Sequence, residues 1–161
     1  MNEELNLKKV RIFEIKDLRI VARILNRCGK DMAKKYGLHH WDNSMLKSYI
    51  IVFLCILKNY VYLLLDGNRP VATFQVKKLE DALFFEKLAV IPEFAGKGYG
   101  SYCMKLIEKK AKKIGCKKVC MEVYNKSNHA IKFYEHNGYL KVGETGTLKY
   151  TDLIMDKLIK L

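Results

Sequence analysis

The chain has few of the residues that break or cross-link a fold. Only two of its 161 residues are Pro and ten are Gly, which excludes collagen-like and proline-rich linker architectures. Its five Cys residues (Cys28, Cys55, Cys103, Cys116 and Cys120) form no CxxC pair, and their count is odd. Cys116 and Cys120 stand four apart with no accompanying His. Neither a disulfide framework nor a metal site is expected, and a reducing cytoplasm suits such thiols. Neither G-x-G-x-x-G nor G-x-x-x-x-G-K-S/T occurs, so a dinucleotide fold and a P-loop are unsupported. Low-complexity tracts and internal repeats are absent too. Acidic side chains are scarce: 17 Asp and Glu against 30 Lys and Arg leave a net charge of +13. Such an excess calls for an anionic partner, whether nucleic acid, an acidic membrane surface or a phosphate-bearing ligand.

No apolar run is long enough to span a bilayer. Tyr49 to Leu65 comes nearest, but a spanning helix needs ~20 apolar residues, and Lys58-Asn59 would lie at mid-membrane. The run reads instead as the end of a helix, a turn at Lys58-Asn59, and a buried strand, and no membrane partner is expected. The opening MNEELNLKK is polar and of mixed charge, unlike a signal or transit peptide. With 50% apolar and 29% charged residues, positions 1–161 read as one globular domain.

Periodicity gives the element order. Val10–Ile15 alternates as a first strand; Asp17 is a candidate N-cap for a helix carrying Leu18, Val21, Ala22, Leu25 and Cys28 at helical spacing. A loop over 37–44 hands over to a second helix through Asn43 or Ser44. Two strands, Tyr60–Leu65 and Pro70–Lys77, flank the hairpin signal Asp66-Gly67-Asn68. A turn at Glu80-Asp81 precedes a long strand, Leu83–Val90, closed by Pro92. A third helix, with Cys103, Leu106, Ile107, Ala111 and Ile114 on one face, ends at Gly115. Strand Val119–Tyr124, helix Ser127–His136, and strands Tyr139–Val142 and Tyr150–Lys157 complete a β-α-α-β-β-β-α-β-α-β-β order. It implies a mixed sheet with helices on both faces.

The strongest chemical signal is Gly96-Lys97-Gly98-Tyr99-Gly100 between a strand and a helix. Alternating glycines leave backbone N–H groups unobstructed, and the helix start adds about half a positive charge, so the segment suits a phosphate or pyrophosphate. Lys97 adds a full charge. The same letters open like an RNA-recognition strand, but Ser101 and Tyr102 break that pattern and the stretch turns helical in period.

Val90-Ile91-Pro92-Glu93-Phe94-Ala95-Gly96-Lys97-Gly98-Tyr99-Gly100 resembles the V-x-P-x-x-R/Q-G-x-G-x-G signature of the GNAT superfamily of acyl-CoA-dependent N-acyltransferases. Val123, Ala130, Tyr134 and Gly138-Tyr139 resemble that family's V…N-x-x-A-x-x-x-Y-x-x-x-G-F block. The two blocks span Phe84 to Tyr139, about a third of the chain, and the element order agrees along its length. The resemblance implies a mainly antiparallel sheet of six or seven strands and an acetyl-CoA cosubstrate between the fourth and fifth strands. Its pyrophosphate would lie on the amides of Ala95 to Ser101, including Gly96, Lys97, Gly98 and Gly100. Its pantetheine arm would pair with the backbone of Leu88 and Val90. Two positions depart from the pattern. Ala95 replaces the Arg or Gln before the first glycine, which implies weaker affinity, and Ser127 replaces an Asn, with Asn125 and Asn128 nearby to take over its hydrogen bonds.

Acetylating an amine requires a neutral amine, a stabilised oxyanion and a proton for the leaving thiolate. By the family's pattern Tyr134 is the general acid, and a backbone N–H near Val90 is the oxyanion donor. Glu86 is the general-base candidate, since an apolar setting favours proton uptake by a carboxylate, with Glu122 as rival. The loop His39-His40-Trp41-Asp42 falls where the family builds its acceptor pocket, giving Trp41 and Asp42 as substrate contacts. Adjacent His residues rarely converge on one ion, so no metal is expected there. The acceptor expected is the primary amine of a small molecule, and dimers are frequent in the family. Two other classes stand beside this reading: a non-catalytic acyl-CoA sensor, and a basic RNA- or ribosome-associated module.

Overall fold

The computed structural model describes residues 5–146 and 150–160. The elements run β1 (Leu5–Lys9), α1 (Ile15–Tyr36), α2 (Met45–Lys58), β2 (Tyr60–Asp66), β3 (Arg69–Leu79) and β4 (Ala82–Val90). After a short 3-10 turn at Pro92–Phe94 come α3 (Tyr99–Lys113), β5 (Lys118–Tyr124), α4 (Asn128–His136), β6 (Leu140–Gly146) and β7 (Thr151–Leu158). This is the order that periodicity predicts. The strands form one sheet in the order β1-β2-β3-β4-β5-β7-β6. Pairs β1–β2, β2–β3, β5–β7 and β6–β7 are antiparallel, while β4–β5 is parallel. The mixed, mainly antiparallel seven-stranded α/β class expected from the resemblance is therefore the observed one.

The start of the chain differs from its reading. The first strand is Leu5–Lys9 rather than Val10–Ile15. Val10 still donates its N–H to Val61 (2.9 Å), but a turn closes between Arg11 and Glu14, and Ile15 already begins α1. The alternation in Val10–Ile15 thus belongs to a turn and a helix start. Glu14, not Asp17, occupies the N-cap, and Asp17 sits buried in the first turn, ion-paired with Lys8. The second helix starts as expected: Ser44 is its N-cap and accepts from the Lys47 N–H at 3.2 Å. Of the polar opening MNEELNLKK, residues 1–4 lie outside the described residues, as do 147–149 and 161.

The chain divides into two compact units, residues 1–77 with 87–103 and residues 78–86 with 104–161. In the first, Val10, Val21, Ala22, Ile24, Val52, Val61, Leu63 and Ala89 form the buried core, joined by Trp41 and Met45 at its edge. In the second, Leu83, Phe85, Ile107, Val119, Tyr139 and Met155 are fully buried. Each Val, Leu, Ile, Phe or Met side chain among these contributes roughly 1.5–3 kcal/mol by leaving water.

Candidate active site

In the first unit, the glycine-rich segment takes the shape its composition demands. Phe94 donates its N–H to Ile91, and Ala95 donates to Pro92 at 3.1 Å, closing the 3-10 turn. Gly96 and Gly98 have φ of +73° and +86°, a region that side chains other than glycine's disfavour. A Cβ built on either would meet nothing within 4 Å, so the space in front of both is open. The first bond of α3 runs from Tyr102 N–H to Gly98 O (3.0 Å), and the amides of Tyr99, Gly100 and Ser101 precede any intrahelical donor. The N–H groups of Ala95 and Lys97 are already used, by Pro92 and, at 3.4 Å, by Phe94. The cradle of available amides therefore centres on Gly98 to Ser101.

Four side chains to which the sequence assigned no role at the site brace this loop: Asp66, Arg69, Phe94 and Tyr99. The Tyr99 hydroxyl donates to the Asp66 carboxylate at the end of β2, and that hydrogen bond raises the phenol's pKa. Phe94 meets Tyr99 edge-on at 5.7 Å. Arg69 and Lys97 each place a cation over the Phe94 ring, 5.2 and 5.4 Å from its centroid. Two cationic side chains thus stand at the loop, of which the sequence marked only Lys97.

Leu88 and Val90 are half-buried on β4. The Val90 carbonyl accepts from the Cys28 thiol (3.2 Å), whose pKa burial pushes up to about 12. Between Glu86 and Leu88, Lys87 has φ +52°, a left-handed conformation unusual for a long side chain. The reading of Leu83–Val90 as one long strand did not foresee that irregularity. Lys87 instead lines a small void of about 10 Å³, with Val21, Leu25, Val52 and Thr73 among its walls, which is room for about one water.

The first unit also holds the acceptor-loop candidates. Trp41 is partly buried against the core, and its ring meets His40 edge-on at 6.3 Å. Asp42 is exposed, 3.7 Å from His39 Nδ1. The loop lies on α1 at Gly29, where a Cβ would come within 2.1 Å of the Trp41 carbonyl oxygen. Asn26 secures the contact by donating to the Asn43 carbonyl at 2.6 Å. Gly29 is the residue that sequence reading missed here, because nothing local distinguishes a helix glycine forced by close approach from a tolerated one.

In the second unit, Tyr134 lies on α4, buried, with its ring edge-on to Phe133, Phe85 and Tyr139 at 5.2, 5.9 and 6.4 Å. No group among the described residues hydrogen-bonds its hydroxyl, and burial raises its pKa. Gly138, at φ +86°, ends the helix and lets the Tyr139 N–H return to the Tyr134 carbonyl (3.1 Å). Tyr139 is structural: fully buried, it donates to Glu108, which also accepts from Lys157 at 2.9 Å. Glu86 is half-buried beside Phe85, whereas Glu122 is exposed on β5. Ser127 is buried as the N-cap of α4 without a side-chain capping bond. Asn125 is exposed, its N–H bound to Thr151. Among the described residues no group of three or more His, Cys, Asp or Glu could hold a metal.

Residues 24–139 match the model of the acetyltransferase (GNAT) family. No curated protein matches the chain. Solved structures share its fold at low identity. The PaiA N-acetyltransferase of Thermoplasma acidophilum, in complex with coenzyme A, superposes with a TM-score of 0.79 at 18% identity, covering 96% of this chain and 99% of that one. An acetyltransferase from Thermus thermophilus gives 0.77 at 17%, over 96% and 97%. The ribosomal-protein-S18-alanine N-acetyltransferase of Escherichia coli gives 0.73 at 17%, over 98% and 96%. With the family model spanning well over half of its length, the chain belongs to the acetyltransferase (GNAT) family.

Proposed function

We propose that this chain transfers the acetyl group of acetyl-CoA to the primary amine of a small molecule, with Tyr134 as general acid. The observation that carries the reading is the open glycine cradle at the head of α3: positive φ at Gly96 and Gly98, empty space before both, and amides without intrahelical acceptors behind them. A diphosphate satisfies those amides and the helix dipole together. Gly96, Gly98, Gly100 and Ser101 would hold it by backbone, with Lys97 adding charge, while Ala95 supplies shape alone because its amide is already bound. The backbone of Leu88 and Val90 would take the pantetheine arm, joined by Asn125 and Ser127.

When bound, acetyl-CoA supplies the activated thioester. Glu86 would accept the proton of the amine. The Tyr134 phenol, held protonated by burial and without a hydrogen-bond partner among the described residues, would donate to the departing sulfur. Its raised pKa makes it a weak acid, so it acts as a hydrogen-bond donor until the thiolate's basicity rises in the same apolar setting. Trp41 and Asp42 would contact the acceptor.

The test is acetyl transfer across a panel of amines, followed by mass spectrometry, for wild type and Tyr134→Phe. General-acid catalysis contributes ~10²–10⁴-fold, so kcat should fall by that factor while acetyl-CoA affinity stays within about twofold. An unchanged kcat would remove Tyr134 from the reaction. Coenzyme A binding without turnover of any amine would favour a sensor. No heat with coenzyme A at millimolar concentration would end the reading.

A further inference from the structure

We propose that the outward faces of α1 and α2 form a docking surface for an anionic lipid bilayer. On α1, Lys16, Arg19, Arg23, Arg27, Lys30 and Lys34 are all exposed. At 100° per residue they fall within one narrow arc opposite the buried Val21, Ala22 and Ile24. Among the described residues only Arg27 of the six has a carboxylate partner, Glu93. On α2, packed beside α1 in the same core, Leu46, Ile50, Phe53, Leu54 and Leu57 recur at i, i+4, i+7, i+8 and i+11. They are 71, 52, 44, 48 and 57% exposed, opposite the buried Ser48 and Val52. Lys47 and Lys58 stand at the two ends of that ridge, and Phe13, 91% exposed, lies just before α1. No helix among the described residues is long and apolar enough to cross a membrane, and the sequence expectation of no membrane partner rested on that lack of a span, which leaves contact with a bilayer surface open. Basic and apolar ridges side by side describe a surface that lies on the headgroup layer, with aliphatic side chains in the acyl boundary and guanidinium groups on phosphates.

Charge selects this occupant over the others. A second copy would bring another +13 toward the same face. RNA would need a run of stacking rings, and Phe13 and Phe53 are separate rings on a surface otherwise aliphatic and basic. The inference stands apart from the transfer reaction, since none of these residues belongs to the proposed site.

Co-sedimentation of the whole chain with phosphatidylcholine vesicles, with and without one-third phosphatidylglycerol, tests it. Binding is expected only to the anionic vesicles, weakening steeply as salt rises. Each basic residue near the surface is worth ~fivefold, so Arg19→Gln/Arg23→Gln/Lys30→Gln should weaken binding by ~100-fold. Lys105→Gln/Lys109→Gln/Lys113→Gln, equal in charge but on α3, should leave binding within about twofold. Leu54→Ser should lose ~tenfold or more, with wild-type circular dichroism and turnover. No binding to anionic vesicles overturns the proposal, as do equal losses from the two triple variants, which would reduce the effect to net charge. So does a dimer in ultracentrifugation that Leu54→Ser dissociates while vesicles go unbound, or binding to RNA alone.

Discussion

Replacing Gly29 by Ala should destabilise the protein, against the ordinary rule for helices. At an open helix position the change stabilises by ~0.5–1 kcal/mol through backbone entropy. Gly29, however, is buried on α1, and its added Cβ would stand 2.1 Å from the Trp41 carbonyl oxygen and 2.7 Å from the carbonyl carbon. An ordinary C···O contact is about 3.4 Å, so the main chain at Trp41 must retreat by about 1.3 Å. These are backbone atoms and cannot rotate away. The Trp41 oxygen also accepts from the Asn43 N–H (2.9 Å) and Asn43 Nδ2 (3.3 Å), and Asn26 holds the Asn43 carbonyl. Overpacking costs ~1–3 kcal/mol and each strained hydrogen bond ~1. After the helix gain is subtracted, a net loss of about 2 kcal/mol remains, or a Tm lower by ~4–8 °C for a chain of this size. Calorimetry or a circular-dichroism melt measures it. A Tm equal to or above wild type would refute the close approach. If Trp41 contacts the acceptor, the acceptor's KM should rise as well, with acetyl-CoA affinity little changed.

Four further outcomes are expected. Gly98→Ala forces an alanine to φ +86°, costing ~1–2 kcal/mol in the very conformation the cradle needs, so coenzyme A affinity should drop ~10-fold with little change in fold, read by titration calorimetry. Tyr99→Phe removes the hydrogen bond to Asp66 and should lower the melting free energy by ~1 kcal/mol, checked by urea denaturation. Burial pushes the Cys28 and Cys103 thiols up to about 12, so at pH 8 both stay protonated; neither should react with a disulfide reagent until the protein is denatured. Tyr134, raised above the ordinary tyrosine value, remains protonated below that value, so it should impose no alkaline fall in kcat up to about pH 10.

The motifs made the backbone geometry of the candidate cradle legible because their constraints are local. Gly96 and Gly98 announce positive φ by residue type alone, and Ser44, Gly115 and Gly138 announce helix ends in the same way. Val10–Ile15 misled because period two persisted through a turn and into a helix start, and the Arg11–Glu14 hydrogen bonds that settle the matter are invisible to periodicity.

From the sequence alone came the element order, the mixed sheet, the acyltransferase resemblance, the glycine cradle and the sum of +13, all set by short-range periodicity, backbone freedom and counting. The tertiary structure alone decided which amides of the cradle remain available and that Arg69 shares the field of Lys97. It alone set Tyr134 among the rings of Phe85 and Tyr139, and Gly29 against Trp41. It also put a basic ridge beside an apolar one on α1 and α2. Apart from the amides, which Pro92 and Phe94 engage from three residues away, each of these depends on residues far apart in the chain, whose distance is fixed by packing and not by neighbouring residues.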